Sequence, residues 1–99
     1  MAYDFGALEA SVAAAVGDDE ALARDLRRAF LDGIANYGDL LGRARCDANW
    51  LTAAYRLKGL AASFGAQGLM HAADFALESA PGDPVAVRRV TKAIAAIKG

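Results

Sequence analysis

From Leu22 to Ala44 the chain places apolar or small residues at Leu22, Leu26, Ala29, Phe30, Gly33, Ile34, Tyr37, Leu40, Leu41 and Ala44. That spacing follows one side of an α-helix for about six turns. A strand cannot bury it, because strand side chains alternate between two faces. The opposite side carries Arg24, Arg28, Asp32 and Asp39, a solvated face. A helix this long with one apolar side must be covered by other helices, so the fold has to be built by helix packing.

The rest of the chain supplies the cover. Asp4 is placed to cap a first short helix with Phe5, Leu8, Val12, Ala15 and Val16 as its apolar stripe, and Gly17 closes it. Asp18, Asp19 and Glu20 open the long second helix, with acids where the helix dipole favours them. Arg43, Arg45, Cys46 and Asp47 bridge to a third helix, with Asp47 as its cap, Trp50 as its first large core residue and Gly65 as its end. A fourth helix follows almost at once, with Leu69, Met70, Ala73, Ala76, Leu77 and Ala80 inward. So tight a turn makes helices three and four an antiparallel hairpin. Both prolines, Pro81 and Pro84, fall in one short connection. There Asp83-Pro84 reads as a cap followed by proline at the first helical position. Val87, Val90, Ile94 and Ile97 line the last helix, with Lys92 and Lys98 towards its C-terminal end. The expected architecture is all-α: a single domain over residues 1–99, an up-down-up-down antiparallel four-helix bundle with a short additional N-terminal helix.

Charge excludes several classes of function. Eleven basic against twelve acidic side chains, spread along the chain, offer no basic footprint for nucleic acid or a membrane surface. No basic leader and no apolar run of membrane-spanning length is present, so a cytoplasmic location is expected. Cys46 is the sole cysteine and His71 the sole histidine, which leaves no disulfide framework and no paired-thiol metal site. His71, Asp74 and Glu78 do form a row at helical spacing, but one histidine and two carboxylates on one helix read as a solvated polar row. No phosphate loop, nucleophile elbow or zinc pattern occurs. No cofactor, no metal and no independent enzyme activity is expected.

Helix three is the unusual segment. At roughly 100° per residue, Trp50, Ala53, Ala54, Leu57, Leu60, Ala61 and Phe64 share one broad side, and Tyr55, Lys58, Gly59 and Ala62 share the other. Glycine inside a helix costs about 1 kcal/mol relative to alanine. Either something approaches the backbone closely at Gly59, or the glycine is drift at a surface position. Spacing leaves both readings open.

Taken as a string, Tyr55-Arg56-Leu57-Lys58-Gly59-Leu60-Ala61-Ala62-Ser63-Phe64-Gly65-Ala66, with Leu69 following, resembles the signature of histidine-phosphotransfer domains. Those domains carry His-x-Leu-Lys-Gly-x-Ala, then Gly-Ala at the helix end and a leucine three residues on. The likeness extends to the Phe5/Leu8 entry helix, the Gly17-Asp18-Asp19-Glu20 opening and the long second helix, and the family fold is the bundle deduced above. In the family the histidine takes a phosphoryl group from a receiver-domain aspartate and passes it on. The resemblance implies that Lys58 would help hold that group and that Gly59 would let a receiver come close. The departure is Tyr55, which stands where the histidine would be. A neutral phenol is a poor nucleophile, and its phosphate ester is too stable to pass on readily.

The resemblance therefore implies a pseudo-phosphotransfer module of a two-component phosphorelay, with the docking surface kept and the chemistry lost. The expected partner is the receiver domain of a response regulator or hybrid histidine kinase, bound by a monomer. The implied surface is Tyr55, Lys58, Gly59, Ala62 and Ser63, flanked by Gln67 and by Phe5 or Leu8 if the first helix lies alongside. Tyrosine is enriched among interface hot spots. Two other readings remain: an active phosphocarrier with His71 or another residue as acceptor, and a structural or adaptor bundle whose patch pairs with itself or an unrelated helix.

Overall fold

Five helices make up most of the described backbone in the computed structural model, which describes residues 5–98 and the side chains of residues 8–97. They are α1 (Phe5–Val16), α2 (Glu20–Arg43), α3 (Asp47–Ser63), α4 (Gln67–Leu77) and α5 (Pro84–Lys98). No strand occurs among the described residues, so the chain is all-α. The expected cap at Asp4, the side chain of Phe5 and that of Lys98 lie outside the described residues.

The helix ends are set by local chemistry. Gly17 follows α1 with φ +64°, a left-handed conformation that glycine adopts without a Cβ penalty. Asp19 then caps α2, its carboxylate accepting from the Leu22 N–H at 3.0 Å. Asp83 does the same for α5, accepting from the Val85 N–H at 2.8 Å while Pro84 fills the first helical position. At α3 the expectation shifts by one residue. Cys46, extended at φ −133° and ψ 161°, is the N-cap and makes no side-chain bond. Asp47 is the first helical residue, where its charge meets the positive end of the helix dipole.

The end of α3 is a Schellman turn. Gly65 sits at φ +67°, the Ala66 N–H donates to Ala61 O at 2.8 Å, and the Gly65 N–H donates to Ala62 O at 3.4 Å. Ala61 and Ala66 are both fully buried, which supplies the apolar contact that accompanies this motif. Gly65 is thus the stop signal, while the helix proper ends at Ser63.

Contacts run α2 to α3, α3 to α4, α4 to α5 and α5 back to α2, and α1 packs on α2. Inside that ring lie Phe30, Ile34, Leu41, Trp50, Leu57, Leu69, Val90 and Ile97, all at 2% exposure or less. Trp50 ties α3 to α4: its indole N–H donates to Ala76 O at 2.7 Å inside the core. Phe30 of α2 and Phe64 at the end of α3 stack with ring centroids 4.4 Å apart. Two glycines of α2 have packing reasons. A Cβ on Gly33 would lie 3.1 Å from Leu60 Cδ1, and one on Gly38 would lie 2.5 Å from Ile94 Cδ1.

Several residues assigned to inner stripes are exposed. Leu22, at 50% exposure, and Ala29 lie on the margin of α2, because Phe30, Ile34 and Leu41 centre the buried arc roughly 100° from Leu22. Ala15 shares the α1 stripe with Leu8 and Val12 but is exposed in the last turn of that helix, and Ala80 falls beyond the end of α4. Ala72 and Ala86 are buried without having been assigned inward. No helix among the described residues is long and apolar enough to cross a membrane.

Candidate functional site: the outward face of α3

Packing splits α3 as the spacing predicts. Trp50, Ala53, Ala54, Leu57 and Ala61 are buried, with Leu60 and Phe64 half-buried beside them. Alanine at three of these positions lets α3 lie close to its neighbours. The other side is left open, and Tyr55 stands at its centre with 61% of its surface exposed.

Gly59 and Ala62, one and two turns further on, are exposed. A Cβ built on Gly59 would meet nothing within 4 Å, in contrast to Gly33 and Gly38. The fold therefore gives no packing reason for glycine at position 59. Gly42 and Gly68 are likewise open, but they lie in the last turn of α2 and the first turn of α4, where a glycine interrupts less helix. Ser63, also exposed, turns its hydroxyl back to donate to Gly59 O at 3.0 Å, so its oxygen stays on the helix.

Lys58 does not stand free. Its ammonium lies 2.8 Å from Asp74 Oδ1 of α4, and both side chains are a little under half exposed. The hydrogen bond to Asp74, and then the attraction of its charge, hold the Lys58 pKa above its ordinary value of 10.5. Asp74 thus leaves the row with His71 and Glu78 and turns to α3. His71 and Glu78 are exposed, and no group of three or more metal-ligating side chains comes together among the described residues. Sequence spacing could not reveal this pair, because it joins two helices whose register only the hairpin fixes.

The flanks are mixed. Gln67 is exposed at the start of α4, just past the turn that ends α3. Leu8 is not part of the surface. It is buried at 1% exposure, because α1 presses Leu8 and Val12 into the core against α2, where Arg27 and Glu9 form an ion pair at 2.9 Å. That close pair is not an aligned hydrogen bond, and it acts as a charge contact between the two helices. Leu51, which sequence reasoning did not assign to the surface, joins it at 39% exposure. Its signal was available, since it precedes Tyr55 by one helical turn. Cys46 is exposed at the start of α3.

The face thus offers an aromatic hydroxyl, a charge-compensated lysine and bare backbone. No family model, curated protein or solved structure matches this chain.

Proposed function

We propose that the chain is a pseudo-phosphotransfer module: an up-down-up-down antiparallel four-helix bundle of the histidine-phosphotransfer kind that docks a receiver domain through α3 without accepting phosphate. The observation that carries this reading is Tyr55, exposed beside Lys58 and Gly59 at the centre of an open helix face. The motif Leu57-Lys58-Gly59-Leu60-Ala61 with Gly65-Ala66 supplies the likeness, and the closed ring of contacts among α2, α3, α4 and α5 supports the bundle. The open space at Gly59 favours close approach by a partner over an internal role. Lys58 is held by Asp74 of α4, so an incoming anion would have to displace that carboxylate to reach its ammonium. Competition with a true phosphotransfer protein, or sequestration of the receiver, would be the physiological effect.

The reading is tested by titrating receiver domains encoded in the same genome against the wild-type protein and Tyr55→Arg. The expected result is a saturable complex with at least one receiver that Tyr55→Arg abolishes. Absence of binding to every receiver, or binding indifferent to Tyr55→Arg, would overturn it.

A further inference from the structure

We propose that the outward face of α3 also pairs with the same face of a second copy of this chain, antiparallel about a two-fold axis that passes between the two helices at the level of Leu57. The inference stands on the composition of that face and does not depend on the receiver reading.

Surface helices are ordinarily marked by charge, and α2 obeys the rule with Arg24, Asp25, Arg28, Asp32, Asp39 and Arg43 exposed. Between Ala48 and Ser63 the open side of α3 carries two charges, Arg56, roughly 100° round the helix from Tyr55, and Lys58, which is already paired with Asp74. Leu51 and Tyr55 are two of the four large hydrophobic residues exposed among those described, and they stand one turn apart. The order along the face matters. Bulky Leu51 and Tyr55 come first, and the small Gly59 and Ala62 follow at helical spacing.

A face ordered bulky-then-small is complementary to its own reversed copy. Antiparallel pairing sets Tyr55 over the partner's Gly59 and Leu51 over the partner's Ala62, and the two-fold repeats both contacts. Parallel pairing would set bulk against bulk. The open Gly59 backbone is what admits the ring. Charge agrees with shape. The same operation brings the two Lys58–Asp74 pairs onto one edge of the contact, where each carboxylate can accept from either ammonium.

Ala48 to Ser63 spans ~22 Å of helix, and a strip one helix wide falls well short of the ~800 Å² per partner of a stable complex. The association is therefore weak and reversible. Because it covers Tyr55 and Gly59, it excludes any other partner from that face, and the free monomer is the form open to docking.

Sedimentation velocity on the whole chain, from about 10 μM to about 1 mM, tests this for wild type and Gly59→Gln. The added side chain enters open space, so the variant is expected to keep its fold, which circular dichroism and Tm check. Wild type is expected to shift towards dimer as concentration rises, and Gly59→Gln to dimerise at least roughly tenfold more weakly. A wild-type monomer throughout the range, or a folded Gly59→Gln that associates as wild type does, would overturn the proposal.

Discussion

Replacing Gly59 by alanine asks whether the fold has any use for the glycine. The position lies inside α3, its backbone is helical, and the new methyl meets nothing within 4 Å. No contact is therefore strained, and the change in helix propensity acts alone. Alanine is better than glycine by about 1 kcal/mol in a helix interior, partly because it narrows the unfolded ensemble. For a domain of this size that raises Tm by about 4–8 °C. Gly38→Ala is the matched control. There the methyl would lie 2.5 Å from Ile94 Cδ1 at the half-buried edge of the core, so that side chain must shift and the same propensity gain is set against overpacking of up to about 1–3 kcal/mol. Urea unfolding followed by circular dichroism reads both, with an unchanged m-value as the check that only stability moved. The expected result is a gain for Gly59→Ala and no gain or a loss for Gly38→Ala. A destabilised Gly59→Ala would refute the reasoning, because it would mean that the fold itself needs glycine there.

Trp50→Phe should cost about 2 kcal/mol in the same assay, since it removes the buried N–H bond to Ala76 O and leaves a gap between α3 and α4. Asp19→Ala should cost about 1 kcal/mol through the lost bond to the Leu22 N–H, and Asp19→Asn should recover most of it. The Lys58–Asp74 pair makes a prediction in pH. A lysine whose pKa is raised in the folded state contributes stability that is full below its unfolded value and lost as pH rises through the folded one. Asp74→Asn should therefore be slightly less stable than wild type at neutral pH, the effect being small because the pair is half-exposed and screened by solvent. The gap between the two proteins should close as pH climbs above 10.5, which thermal melts across that range would show.

The helices and their stops were legible because each rests on local chemistry: Asp19 and Asp83 as caps, Gly17 and Gly65 as left-handed ends, and a 3.6-residue period between them. The division of α3 into a buried side and an open side was legible for the same reason. What escaped was decided between helices. Leu22 reads as core by period alone, yet the direction in which α2 meets its neighbours leaves it on the margin. Leu8 reads equally well as a core residue or as a flank of the α3 face, and the packing of α1 on α2 sends it into the core. Asp74 reads as part of a polar row on α4, and only the hairpin register turns it to Lys58. Gly59 illustrates the division from the other side. Its place on an exposed face was evident from spacing, but the distinction from Gly33 and Gly38 required the neighbours to be in position.

The central claim is that α3 binds a receiver and that phosphate does not stop on this chain. The most direct measurement charges the receiver that binds best with radiolabelled acetyl phosphate, adds the protein, and follows both the complex and acid-labile label on each chain. Tyr55→His serves as the companion, since it returns an imidazole to the centre of the face. The account predicts a complex with wild type, no acid-labile label on it, and label on Tyr55→His. Acid-labile label on the wild-type chain, or no complex at all, would contradict it.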